Sequence, residues 1–571
     1  MYKKLLSGST LINIRKQCKG DIVYQQLSRL YTTSTLDLDN NNNNSKRSTV
    51  DHINKDSISH TKSNNTHINS TLLNSNNSNS IYKSNSSKIK KDSKIYLSKA
   101  EKEIIDFVCN VPKLINRDDI VIRIAGGWVR DKLINKNEST IYDLDFALEN
   151  ISGEEFVKLL SQYIGGRTFI TKMNPSKSKH LETACLEIDG FSLEFNALRT
   201  DQYTQHTRIP VIIRGTPKED AMRRDITINC LFYNLNTKEI EDQTGMGIDD
   251  LEQGIIRTPL CPEATLNDDP LRALRAIRFS SRLNFKIEPT LYKVIQSNEI
   301  KELVSKKVSK ERILIEYTKM MSDTRFSLQY YKYLVETGLI QVIFNNSSLH
   351  YSDSIEFFKN GTTVLKPSKR IESLEYFTTL IFMNDFVNGT IDINGVSKLL
   401  KEFKSSNKTS REIQSHLLTI RSIVKVINTF IIKQQQHNFS LDQFLIDEFN
   451  SITFGLLESL KGDDLWETSI HLSRVYLTTT SKGQQQQQQD NLILSGKFWN
   501  SFTLLLKDKY QPISKSAALA TFGDISKAKL PVKEIGDIMK QLFHWQWRSL
   551  CQGTQPTQSD ALVYLKTIFL K

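Results

Sequence analysis

The chain lacks several things that would place it elsewhere. Its 571 residues contain no uninterrupted apolar run of about 18, the length a membrane-crossing helix needs, so no membrane partner is expected. Six cysteines (Cys18, Cys109, Cys185, Cys230, Cys261 and Cys551) are scattered without a C-x-x-C pair. That spacing speaks against a disulfide framework and against a cysteine-based zinc site. None of the ten histidines is followed by aspartate, so the metal-binding dyad of a phosphohydrolase domain is missing. The first 20 residues carry no acid, and after Met1 no methionine occurs before Met173. A shorter form begun at an internal methionine would lose much of the ordered front half.

What the chain does have is basic charge: 76 Lys and Arg against 63 Asp and Glu, a net of +13. Such an excess favours a polyanionic partner, nucleic acid before membrane surface. Near the start, Lys3, Lys4, Arg15, Lys16 and Lys19 interleave with Leu5, Leu6, Leu11, Ile12 and Ile14, and Ser and Thr follow to Ser34. This is the pattern of a mitochondrial-type transit peptide, assigned to residues 1–36, with a plain basic tail as the competing reading. Mitochondrial localisation is therefore expected, and inefficient import would leave a share in the cytosol and nucleus. Residues 37–97 are rich in Asn and Ser, beginning with Asn40–Asn44, and hold too little apolar surface to offset chain entropy. They read as a disordered linker, and Gln484–Gln489 reads as a loop insertion.

From Ser98 onward the pattern is that of an ordered protein. Strands are predicted at Ile120–Ala125, Ile141–Leu148, Thr183–Ile188, Phe191–Leu198 and Ile226–Asn234. After Pro270 the apolar spacing is three and four, and helices are predicted almost to the end. The expected fold class is α+β, with a mixed sheet and helices in front and an all-helical remainder.

Four segments carry candidate chemistry. Gly126-Gly127 turns a strand into a helix, and paired glycines there let backbone N–H groups approach a phosphate. Asp143 and Asp145 flank Leu144 in an apolar strand, so both carboxylates share one face. Two like charges side by side call for a cation, and Mg²⁺ suits carboxylate and phosphate oxygens. A solvent-facing acidic pair is the alternative, and Glu194 is a candidate third carboxylate. Arg223-Arg224-Asp225 precedes an apolar segment. Its arginines either fork onto phosphate or pair with Glu219 and Asp220. In Asp268-Asp269-Pro270-Leu271-Arg272, Pro270 suits a first helical turn capped by Asp269. Arg272, Arg275 and Arg278 continue the face on which Asp269 stands, a stripe that makes sense beside something anionic.

GGWVRD, YDLD, RRDITIN, DQTGMGIDDL, DDPLRALRAIRF and ERILIE (Glu311–Glu316) occur in that order. Together they resemble the motifs of class II CCA-adding enzymes, tRNA nucleotidyltransferases of the polymerase-beta-like superfamily, over about 120–316. One departure is that the block often begun Glu-Asp begins here with Asp268. The resemblance implies a nucleotidyltransferase head over 98–257, a helical neck over 258–345 and a tRNA-binding body and tail over 346–571. It implies template-independent addition of C, C and A to the tRNA 3′ end from CTP and ATP, with Mg²⁺ held by the catalytic Asp143 and Asp145. Gly126, Gly127 and Arg130 would contact the triphosphate, and Arg223, Arg224 and Asp225 the phosphates or ribose. Asp269 and Arg272 would read the base, with Arg275 and Arg278 nearer the phosphates.

The Asp269–Arg272 pair suits that task because cytosine and adenine each set an amine donor beside a ring-nitrogen acceptor. Uracil and guanine reverse the pattern and would leave charged groups unpaired, at a cost of about 1–3 kcal/mol or more. Switching from C to A must come from the growing RNA end or from a moving element, the latter looked for between Glu149 and His180. The rival readings are a bacterial-type poly(A) polymerase, a relative adding only CC or only A, and a non-catalytic RNA-binding protein.

Overall fold

The computed structural model describes residues 94–135, 141, 143–163, 167–171, 183–188, 190–202, 211–323, 325–364, 374–434, 440–447, 466–480, 496–514, 516–531 and 534–570. The expected transit peptide, most of the expected linker and the polyglutamine tract lie outside them. The chain divides into two units between Gln253 and Gly254.

The first unit is built on β-branched and aromatic alternation. Helix α1 (Lys99–Leu114) leads to β1 (Val121–Ala125), α2 (Gly127–Asn135), β2 (Asp143–Glu149), α3 (Gly153–Tyr163), β3 (Arg167–Thr171), β4 (Thr183–Ile188) and β5 (Phe191–Ala197). A small hairpin, β6 (Arg199–Gln202) with β7 (Val211–Arg214), precedes α4 (Pro217–Met222), β8 (Leu231–Asn234), β9 (Glu239–Asp242) and α5 (Gly247–Gln253). Seven strands form one sheet in the order β3-β4-β5-β2-β1-β8-β9. It is mixed: β2 runs parallel to β5, and the other pairings are antiparallel.

The predicted strands fall within a residue or two of those observed, with one exception. Residues 226–234 do not form a single strand: Thr227–Asn229 is a turn of 3₁₀ helix, and the strand starts at Leu231. The polar side chains of Thr227 and Asn229 explain the break, because each bonds a neighbouring carboxylate instead of joining the ladder.

The sheet has an apolar face and a polar one. On the apolar face Phe146 stacks on Phe195 with centroids 4.7 Å apart, and Phe156 of α3 closes on Phe195 at 5.3 Å. Gly153 is where α3 meets the sheet. A Cβ there would penetrate the Phe195 carbonyl oxygen, so only glycine permits this approach. The stretch expected to hold a moving element therefore begins with a docked helix, whereas Gly165, Gly166 and residues 172–180 lie outside the described residues. A buried carboxylate ties α1 to α2: Glu101 accepts from Trp128 Nε1 (3.1 Å), Lys132 Nζ (2.7 Å) and the Ile141 N–H (3.1 Å).

The second unit is helical apart from the two-residue pair β10 (Ile255–Ile256) and β11 (Lys286–Ile287). Its helices begin with α6 (Pro262–Asp268), α7 (Leu271–Leu283), α8 (Pro289–Ile295), α9 (Asn298–Lys307), α10 (Lys310–Met321), α11 (Ser327–Glu336) and α12 (Leu339–Phe344). They continue with α13 (Ser354–Val364), α14 (Leu374–Val387), α15 (Ile393–Glu402), α16 (Asn407–Gln434), α17 (Leu441–Asp447), α18 (Trp466–Thr480) and α19 (Gly496–Leu505). After short turns come α20 (Ile535–Cys551) and α21 (Gln558–Phe569).

By length and composition α16 could cross a membrane, although Arg411, Arg421 and Lys425 interrupt its apolar run. Its apolar side is instead buried in the unit, through Ile413, Leu417, Ile420, Ile423, Val424 and Ile427. Trp547 is buried in the core, while Trp545 stacks on Tyr564.

Candidate active site

Strand alternation decides which side chains meet. Asp143 and Asp145 open β2 on the polar face, with Leu144 buried between them. The in-register parallel pairing sets Asp143 beside Ser192 and Asp145 beside Glu194. Following the ladder to β1 and β8 puts Arg123, Ala125 and Phe232 on the same face.

The carboxylates perturb one another. Burial raises the Asp145 carboxyl above the usual range; the Asp143 charge raises it further and Arg224 opposes the shift. Although water reaches Asp145, enough protein surrounds it to disfavour its charge. Glu194 is raised by burial first, then by Asp145 and Asp143. Sequence alternation makes Glu194 a candidate, and the register makes it the direct neighbour of Asp145.

No three His, Cys, Asp or Glu side chains form a ready-made metal cage among the described residues. The donor set is two strand carboxylates facing the same way, with Arg224 offsetting their repulsion but not restoring the ordinary Asp145 pKa. That fits a hard divalent cation whose shell is completed by water and phosphate.

Arg224 reaches this face by lying over the Phe232 ring, 5.0 Å from its centroid. Its Nε and Nη2 donate to Asp220 Oδ2 at 3.1 and 2.8 Å, and Nη1 donates to the Asn229 carbonyl at 3.3 Å. Asp220 Oδ1 takes Arg223, whose Nε also donates to the Arg199 carbonyl at 3.3 Å. Burial works against the Arg224 charge, but its anionic neighbours, Asp220 foremost and Asp145 among them, together hold the guanidinium above its ordinary range. One carboxylate thus fixes both arginines. Of the two acidic partners that the sequence offers them, Glu219 is spent on a capping box with Thr216.

The Gly-Gly turn adjoins this clamp. Gly126 has φ +69°, which glycine tolerates, and its N–H donates to the Leu231 carbonyl at 3.0 Å. A Cβ on Gly126 would stand 3.3 Å from Arg224 Nη1. Arg130 is buried: its Nε donates to Asp131 at 2.7 Å and its Nη1 to Asn229 Oδ1. Asn229 Nδ2 in turn donates to Asp225 Oδ1 at 3.1 Å. Arg130, Asn229 and Asp225 thereby brace the turn from behind. Asn229 closes the RRDITIN block, yet sequence reasoning assigns it no role.

In the second unit α7 starts at Leu271, one residue later than expected. The N-cap position falls to Pro270 rather than Asp269, although Asp269 Oδ1 still accepts the Leu271 N–H at 3.3 Å. Arg272 Nη1 donates to the Thr265 carbonyl at 3.1 Å. The arginine stripe is not uniformly exposed. Arg278 is buried with Nε 2.7 Å from Glu316 Oε2, and Arg275 Nη1 lies 3.5 Å from Oε1. The anion beside these two arginines is a residue of this chain, from the ERILIE segment, whose pairing role the sequence does not reveal.

The comparisons with known proteins add to this geometry. Residues 122–257 match the model described as the poly A polymerase head domain. That segment, about a quarter of the chain, is therefore similar to poly(A) polymerase heads. Residues 284–349 match a second model, described as a probable RNA and SrmB-binding site of polymerase A. The chain is 40% identical over 298 residues to the mitochondrial CCA tRNA nucleotidyltransferase of Saccharomyces cerevisiae, covering 49% of this chain and 52% of that one. It is 40% identical over 290 residues to the tRNA nucleotidyltransferase cca1 of Schizosaccharomyces pombe, covering 49% and 54%. The chain thus spans about half the length of the curated relatives it matches. The fold resembles a solved CCA-adding enzyme in its apo form, with TM-score 0.52 and 18% identity over 81% of this chain and 95% of that one.

Proposed function

We propose that this protein adds C, C and A to the 3′ end of tRNA from CTP and ATP without a nucleic-acid template. The observation that carries the proposal is the placing of Asp143 and Asp145 on one strand face, with Glu194 in register and Arg224 electrostatically coupled. Asp143 and Asp145 would hold Mg²⁺. When bound, the cation supplies charge stabilisation to an attacking 3′-hydroxyl and a leaving pyrophosphate.

The chain's own residues bind and orient. Arg224 and Arg223, fixed by Asp220, present cationic edges to the phosphates, a task suited to a forked guanidinium. The Gly127 N–H meets negative charge at the start of α2, while Gly126, its own N–H bonded to Leu231, shapes the turn. Arg130 and Asp225, linked through Asn229, keep that turn in shape. On α7, Asp269 accepts from the base amine and Arg272 donates to the ring nitrogen, which admits C and A and rejects U and G. Arg275 and Arg278 serve there chiefly through Glu316, which fixes the helix. The basic helical unit supplies surface for the tRNA backbone. Mitochondrial localisation follows from the basic, acid-free first 20 residues and from the yeast relative's name.

The test is to incubate the purified full chain with tRNA lacking its 3′-terminal CCA, Mg²⁺ and each labelled NTP, alone and together, and to sequence the termini. The expected product is CCA and nothing longer. The head domain's match to poly(A) polymerases motivates one rival, and a ladder of A from ATP alone would establish it instead.

A further inference from the structure

Asp269 and Arg272 stand three residues apart at the start of α7, with opposite charges on one helix face. Left alone, such a pair closes on itself. A selector made of these two works only if each is held elsewhere, so that the acceptor and the donor both face the base. The structure shows what holds them. Arg272 Nη1 is drawn to the Thr265 carbonyl at 3.1 Å, and Asp269 Oδ2 is taken by Arg312 Nη2 at 2.7 Å.

Arg312 belongs to α10, four residues before Glu316. That helix therefore grips α7 twice: Arg312 holds Asp269 at the front, and Glu316 holds Arg278 and Arg275 behind. The front contact is open, with Asp269 30% and Arg312 48% exposed, so a base edge can reach it. At the rear, Glu316 and Arg278 are buried and only Arg275 reaches solvent. One aspartate oxygen is fixed by the guanidinium and the other by the Leu271 N–H. The remaining lone pairs are thus pre-aimed, which is the condition for rejecting a carbonyl rather than turning to avoid it.

We propose that Arg312 is a specificity-positioning residue: it keeps the Asp269 carboxylate turned outward as an acceptor and away from Arg272. This rests on the nucleotide-selecting reading of α7 given above. Removing Arg312 frees Asp269 to swing onto Arg272, which disarms both readers together. Selectivity then falls more than turnover, because the catalytic carboxylates on β2 are unchanged.

The experiment compares wild type, Arg312→Ala, Arg312→Gln and Arg312→Lys as full-length protein. It measures kcat and KM separately for CTP and UTP on tRNA lacking CCA, together with thermal midpoints. For Arg312→Ala the C-over-U ratio of kcat/KM is expected to fall by about tenfold or more, mainly through a raised KM for CTP and a lowered one for UTP. Arg312→Lys should recover part of the ratio, since it restores a cation without the planar fork. Arg312→Gln retains length without charge, should behave as the alanine variant does, and serves in its place if that fails to fold. An unchanged C-over-U ratio, or an equal loss of kcat for both nucleotides, overturns the proposal. Wild-type protein that adds neither C nor A to tRNA would instead overturn the CCA-adding reading.

Discussion

The two charged regions of this protein are opposites. On the sheet of the first unit, Asp143, Asp145 and Glu194 face the same way, and burial with mutual repulsion holds two of them above the usual carboxylate range. On α7 of the second unit, Arg275 and Arg278 are also like charges in a row, yet Glu316 of α10 pairs with both. Both patterns read alike in sequence, as stripes of one sign awaiting a counterion. Only the first leaves its electrostatic strain in place for a ligand to relieve. The second is largely resolved within the fold, and its energetic consequence is stability.

Substitutions should separate these roles sharply. Asp145→Asn should lower nucleotide incorporation by about a thousandfold or more while leaving the thermal midpoint unchanged or slightly raised, because a repelling charge is removed. An incorporation assay and a melt on the same preparation check this; a large drop in midpoint would make the acidic face structural. Glu316→Ala should do the reverse. It strands the buried Arg278 guanidinium, and losing one partner of a buried pair costs about 3–5 kcal/mol. Denaturant unfolding would show it, and a loss below about 1 kcal/mol would mean that solvent already shares the pair.

The same contrast separates what local sequence encodes from what packing decides. Period-two alternation around Leu144 is local, so the shared face of Asp143 and Asp145 is legible in the residues themselves. Pairing of β2 with β5 spans about 50 residues, and nothing local encodes its register, so the sequence offers Glu194 only as a candidate. Glu316 and Arg312 lie 38 and 43 residues from the α7 partners they hold. Their motif can be matched, but the pairing depends on how two helices pack. Asn229 is hidden for a different reason. An apolar run suggests a strand through it, whereas its side chain breaks that strand to brace Arg130.

A smaller effect probes the apolar side of the same sheet. Gly153→Ala drives a methyl into the Phe195 carbonyl, so α3 must back away from β5, the strand that carries Glu194. Overpacking of this kind costs about 1–3 kcal/mol. The loss should appear in the melt together with reduced incorporation, since the strand shifts with the helix. An equivalent substitution at Gly523, where the nearest outside contact is Thr521 Oγ1 at 3.7 Å, should be far milder.

The last distinction is one of sign under acid. In the second unit His416, bonded through Nδ1 to Ser469 Oγ at 2.8 Å, is buried in α16, and His471 is half-buried in the neighbouring α18. Burial lowers each pKa to about 4, with Arg474 adding to the shift at His471. In the unfolded chain they titrate near 6.5, so between these values the unfolded state binds more protons and stability falls as pH falls. The contribution is complete above pH 6.5 and is lost on the way down to about 4. At pH 5.5 each histidine should have given up about 1 kcal/mol, readable as a lower denaturant midpoint than at pH 7.5. His471→Leu should remove its share of that slope. The acidic face carries the opposite sign: raised carboxyl pKa values make its repulsion a cost at neutral pH that protonation relieves. Hydrogen exchange resolved by segment should therefore show α16 and α18 losing protection between pH 7.5 and 5.5 while β2 does not. Parallel loss in both would mean that the two charged regions do not respond independently.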